Sequence, residues 1–314
     1  MGPLRSALLA ASLAGVAAGI APVTPAAAHL LVRGAPLSEW AATSPTAVVA
    51  RVEGEAADAE GRGVALRVEQ AVIGELPRGP LRVALAGHHP PDYATGARVL
   101  VFLDGDAPPW RSRQSALDVV EVPDDTGSRQ ALIEAVRAYA GLRRVPDRDA
   151  RLAQLETLAL RNLASKSERV RREALLDLMA IVPAATFDAS DVVAVAALAR
   201  SGAAASSIAP GLVVLLAAIR LPEAERSLLS LMEDAPDPRV RARAARVVGR
   251  RRGAEAVPAL RRALADPAPG VRLTAQRELD RIARAAASGP AHPPAPRNPR
   301  EGTNDAETHP AEAG

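Results

Sequence analysis

"DPRVRARAARVVGRRR", residues 237–252, holds seven arginines and a single acid. Wound as a helix at about 100° per residue, it puts Val240, Ala244 and Val248 in one narrow seam. The small Ala244 at the centre of that seam leaves room for a neighbouring helix. Arg241 falls beside the seam. Arg239, Arg243, Arg246 and Arg250 form a separate stripe on the face turned away from it. One stretch therefore holds both a packing surface and a cationic surface, and the rest of the chain shows which one recurs.

The seam recurs. "VRREALLDL" from Val170, "VRARAARVV" from Val240 and "VRLTAQREL" from Val271 all read V-R-x-x-A-x-x-x-[LV]. Arg171, Arg241 and Arg272 follow the valines, and Ala174, Ala244 and Ala275 sit at the centres. "VRAYA" from Val136 begins the same way but has no apolar residue at the last position. The helices ahead also match. "AVPALRRALAD" sets Pro258, Leu260 and Leu264 before Asp266, and "EAERSLLSLMED" sets Leu228 and Met232 before Asp234. Each acid falls in the turn before a V-R helix, where it is expected to cap that helix and pair with a repeat arginine.

These motifs resemble the HEAT-repeat family in its short bacterial form, over about 147–286. The match is closest at 254–282, then at 223–249, then at 150–181. Residues 184–220 agree in length only. "IAPGLVVLLAAIR" lacks the V-R pair and carries Pro210, so a degenerate repeat and a bend both stay open. The resemblance implies an α-solenoid, in which stacked helix pairs build one core and leave an extended surface for a protein partner.

Ahead of these helices the period is two. "TAVVARVEG", "GVALRVEQAVIG", "LRVALAG", "ARVLVFLDG" and "ALDVVEV" are Val-rich runs separated by Gly, Pro and Asp, which predicts five or six short strands. Val64, Leu66 and Val68 face one way and Arg67 and Glu69 the other, while the unbroken Val99–Leu103 suits a central strand. "TAVVARVEG", "VALRVEQAVIGELPRGPLRVAL" and "GARVLVFLDGD" resemble the OB-like barrels of tissue-inhibitor-of-metalloproteinase and netrin-like modules. That inhibitor activity depends on an N-terminal cysteine that chelates zinc. This chain has no cysteine, so the activity is not carried over.

The expected fold is α+β with two domains, a small antiparallel OB-like barrel followed by an α-solenoid of HEAT-like helix pairs. The boundaries read as a signal peptide at 1–28, a barrel at 29–125, a connecting helix and linker at 126–146, a solenoid at 147–287 and a Pro-rich disordered tail at 288–314. Hydrophobic residues make up 48% of the chain but aromatics only 2%, so cores must be built from Ala, Val and Leu. Small side chains of that kind suit closely packed helices.

Arg5, the apolar "ALLAASLAGVAAGIA" and small residues at Ala26 and Ala28 have the order of an export signal cleaved before His29, which points to a secreted or periplasmic bacterial protein. An uncleaved signal anchor is the alternative. No later segment has the length of a bilayer span. The net charge is only +3, and the stripe has no nearby aromatic for base stacking. Nucleic acid is thus a poor candidate partner.

Catalytic motifs are missing: no cysteine nucleophile, G-x-S-x-G, P-loop or H-E-x-x-H occurs. No catalytic residue and no cofactor is expected. "GHHPPDY" sets His88 and His89 near Asp92 and Tyr93, but adjacent histidines point apart on a strand. His29, once freed as an N-terminus, would join His88 or His89 in a copper or zinc site, and that is the alternative function. "LDGDAPP" offers Asp104 and Asp106 without the other ligands of a calcium loop. The favoured role is a non-enzymatic adaptor or scaffold. Val170, Arg171, Ala174, Val240, Arg241, Ala244, Val271, Arg272 and Ala275 are its repeat residues, and Arg239, Arg243, Arg246 and Arg250 its contact candidates.

Overall fold

The computed structural model describes residues 36–288, apart from 59–60, 77–78, 86–92, 106, 113–118 and 202–206. It has an α+β, two-domain layout: a closed five-stranded barrel, then a run of helices. A short helix α1 (Leu37–Thr43) precedes strands β1 (Thr46–Asp58), β2 (Gly61–Ile73), β3 (Gly79–Leu85), β4 (Arg98–Asp104), β5 (Trp110–Ser112) and β6 (Val120–Glu121). The ring runs β1-β2-β3-β5-β4 and closes by β4 pairing with β1, from Thr46↔Leu103 to Arg51↔Arg98. All contacts around the ring are antiparallel except β3–β5, where Val83 lies opposite Trp110. β6 adds to β4 outside the ring.

Strand alternation explains the barrel's two cores. Val48, Ala50 and Val52 of β1, Val64, Leu66 and Val68 of β2, and Val99, Val101 and Leu103 of β4 fill the interior. Ala47 and Val49, with Leu100 and Phe102, point outward into a second cluster under the helices. The apolar run in β4 is unbroken because both of its faces are buried. Rings of Trp40 and Phe102 lie 6.4 Å apart where α1 crosses this patch.

Helix α2 (Thr126–Gly141), begun by the Asp125 cap, lies on the outer patch through Leu132, Ile133, Val136 and Tyr139. The segment 126–146 therefore does more than connect, because its apolar face seals the barrel to the helices that follow. Those are α3 (Arg148–Asn162), α4 (Glu168–Ile181), α5 (Ala189–Arg200), α6 (Ala209–Ala218), α7 (Pro222–Asp234), α8 (Pro238–Arg252), α9 (Val257–Ala263) and α10 (Pro269–Ala287). They pair as α3/α4, α5/α6, α7/α8 and α9/α10 in two layers, and in the second layer α4, α6, α8 and α10 lie side by side. The α5/α6 pair thus occupies a regular place in the array despite lacking the V-R motif.

Local chemistry marks the helix starts. Asp147, Ser167, Asp188 and Asp237 cap α3, α4, α5 and α8, and Pro222, Pro238 and Pro269 stand at the first helical positions of α7, α8 and α10. Gly253, at φ 55°, ends α8 in a conformation that favours glycine. Gly249 allows close approach of α8 and α10, since a Cβ there would lie 2.9 Å from the Cβ of Glu278.

Candidate functional site

The three repeat valines, Val170, Val240 and Val271, and the alanines Ala174, Ala244 and Ala275 have no solvent exposure. Their arginines share one geometry. Arg171 donates through Nη1 to the carbonyls of Ser165 and Lys166, at 2.7 and 3.1 Å. Arg241 does the same to Ala235 and Pro236, at 2.7 and 3.1 Å, and Arg272 to Asp266 and Pro267, at 2.8 and 2.9 Å. Each guanidinium therefore closes the turn leading into its own helix, taking the carbonyls five and six residues back.

Arg241 also reaches the next repeat. Its Nε and Nη2 donate to the two carboxylate oxygens of Asp266, at 2.7 and 2.9 Å, while Asp266 accepts from the Ala268 amide at 2.8 Å. The Arg241 guanidinium is the main reason that the Asp266 carboxyl sits below the ordinary range. Asp266 thus pairs with a repeat arginine but does not cap α10, whose N-cap position is Ala268, and Asp234 is exposed at the end of α7 while Asp237 makes the cap of α8. The cap falls three residues before Val240, a spacing set by Pro238 at the first helical position. Arg241→Ala would leave Asp266 half-satisfied and two carbonyls bare, so a loss of about 1–3 kcal/mol is expected in urea unfolding.

The contact candidates divide. Arg239 is exposed but held by Asp237, with Nη2 2.8 Å from Oδ2. Arg250 has only Glu278 at 3.9 Å, and Arg281 already holds that carboxylate at 2.7 Å. Arg243 and Arg246 have no carboxylate partner among the described residues. Burial first, then the charges of Arg246 and Arg250, pulls Arg243 below the usual guanidinium value. Three cations thus face one another on half-buried to exposed ground, away from the seam. Arg251 and Arg252 are otherwise engaged, Arg251 with the Ala217 carbonyl at 3.2 Å and Arg252 with Glu225 at 2.9 Å. Arg243→Ala is expected to shift unfolding by less than about 0.5 kcal/mol, since it removes no favourable pair.

A polar cluster at the junction of the domains had no local sign in the sequence. Ser38 of α1 donates to Asp177 Oδ1 of α4 at 2.6 Å, and the Leu37 amide donates to Glu173 Oε2 at 3.2 Å. Arg169 pairs with Glu173 at 2.8 Å. Burial, and to a lesser extent the neighbouring Glu173, pushes the Asp177 carboxyl up to about 7, against the hydrogen bond from Ser38. Asp177 is only 4% exposed. No substrate reaches a group so enclosed, and its role is to hold α1 against α4. Only the pairing of residues 139 positions apart reveals it.

The metal candidates His29, His88 and His89 lie outside the described residues, as do Asp106, the signal segment 1–28 and the tail from 289 onward. Among the described residues no group of three or more His, Cys, Asp or Glu could hold a metal ion. No helix among them is long and apolar enough to cross a membrane.

The model of the HEAT-repeat family matches residues 213–290, from within α6 through α10. No curated protein and no solved structure matches the chain significantly.

Proposed function

We propose that this chain is an exported, non-enzymatic adaptor or scaffold that binds a protein partner on the second helical layer. The observation that carries the reading is the open face of that layer. It is covered by α1 at α4, but no described element covers it at α8, where Arg243 and Arg246 gather without a carboxylate partner among the described residues beside Arg250, whose contact with Glu278 is 3.9 Å. The HEAT-repeat match over 213–290 supports the same reading, because stacked helix pairs present long surfaces suited to proteins. Export rests on the N-terminal pattern ending at Ala28. The barrel is proposed to be of the OB-like kind, on its strand order and its one parallel contact.

Photo-crosslinking in the native cell tests the role. A benzoylphenylalanine at Ala242 or Arg277, both on the second layer, is expected to give one discrete protein adduct in the envelope fraction. The same probe at exposed Arg82 of the barrel serves as the comparison. Adducts of equal yield and pattern at all three positions, or none at any, would sink the adaptor reading.

A further inference from the structure

The helical array contains its own example of a docked segment. Counting from the repeat valine of α4, position +3 is Glu173, +6 is Leu176, +7 is Asp177 and +10 is Ala180. Helix α1 lies on this face. Its first amide, at Leu37, meets Glu173 at +3, and its Ser38 hydroxyl meets Asp177 at +7. Leu37 and Ala41, on the other side of α1, are buried against the outer face of the barrel and α2. The pairing follows the helix dipole, because an acid on α4 receives the amide end of α1.

On α8 the same register carries the opposite charge. Position +3 is Arg243, +6 is Arg246 and +10 is Arg250, with half-buried Val247 at +7. α6, alongside, has no charged residue between Ala209 and Ala218 and leaves Pro210 and Val214 half-buried. The face is therefore cationic along α8 and apolar beside it. A flexible polyanion would use only the first property, whereas an amphipathic helix with carboxylates along one side uses both.

We infer that α8 receives an acidic amphipathic helix of the partner protein, in the place and manner in which α4 receives α1. Its carboxylates, or its carbonyl end, meet Arg243, Arg246 and Arg250, and its apolar side lies toward α6. Arg239 takes no part, because Asp237 already occupies it. This inference rests on the adaptor reading and specifies the partner's chemistry.

The probe is a fluorescein-labelled, end-capped peptide of Glu-Ala-Ala-Leu blocks, titrated against the full mature chain by anisotropy. Binding that weakens with salt is expected. Arg243→Glu with Arg246→Glu should weaken it about tenfold or more. Arg148→Glu with Arg220→Glu, the same charge change at exposed sites elsewhere, should leave it unchanged. Thermal melts of both variants report that the fold is retained. The inference is overturned if the wild-type chain does not bind the peptide, or if the two double variants lose it equally. It is also overturned if a heparin fragment binds in an arginine-dependent way while the peptide does not. A photo-adduct at Ala242 that persists in the Arg243/Arg246 variant leaves the adaptor reading standing and removes only this one.

Discussion

Ala244→Asp is expected to unfold the C-terminal helix pairs, at a cost above about 4 kcal/mol. Ala244 has no exposure and lies at the centre of the α8 seam, with α6, α7 and α10 packed around the helix. A carboxylate there meets methyl groups and no cation, because the guanidinium nearest in sequence order on that side, Arg241, is taken by Asp266 and two carbonyls. The side chain is also larger than the space left by alanine. In a stacked array each pair is stabilised by its neighbours, so loss of α8 removes support from α10 on one side and α6 on the other. Circular dichroism should show part of the helical signal melting early, with the barrel and α2 persisting to a second transition. Leu273→Asp is the control: Leu273 is 51% exposed on α10, and its replacement should change little. If Ala244→Asp melts as the wild-type chain does, the valine-alanine seam is not the packing surface.

The second large effect concerns pH. Asp177 is buried and its carboxyl is pushed up to about 7, chiefly by desolvation. In the unfolded chain the same group ionises near 4. Between these values the folded state keeps a proton that the unfolded state has released. Stability from this site is therefore complete below about pH 4 and is lost as pH rises through 7, by about 2–4 kcal/mol in all. The groups facing Asp177 are Ser38 on α1, Tyr139 on α2, and Glu173 on α4 itself, with Arg169 engaged by Glu173. Asp266 and Asp237 move oppositely, but their carboxyls sit below the usual range and stay ionised throughout this window. Asp177→Asn keeps an acceptor for Ser38 and puts an amide where the protonated carboxyl stood. The variant should match the wild-type chain at about pH 3.5, below the unfolded value, and exceed it at about pH 8. Urea midpoints at the two pH values measure the difference, and parallel pH profiles for the two chains would remove Asp177 as its source.

The junction also bears on function. Because α1 is tied to α4 by Ser38–Asp177 and Leu37–Glu173, the barrel and the first helix pair share one packed boundary. The open part of the second layer begins only beyond it, at α6. The arginine face of α8 is thus set at a fixed distance from the barrel along the array.

What the sequence determined by itself is whatever repeats at short range. The alternation in "GVALRVEQAVIG" places Val64, Leu66 and Val68 inside the barrel, because a strand turns successive side chains to opposite faces. The V-R-x-x-A pattern locates α4, α8 and α10 and their buried seams, because helical spacing alone brings those residues together. Tertiary structure alone decided the remainder. β5 is three residues long, too short for any period, and is held by pairing with β3 and β4. The α5/α6 pair, whose sequence left bend and repeat both open, is placed by contacts with its neighbours. The states of the arginines were likewise decided at a distance. Arg241 and Arg252 find acids on other helices, while Arg243 and Arg246 find none among the described residues, and a charge pattern along one helix does not report what the next helix presents to it.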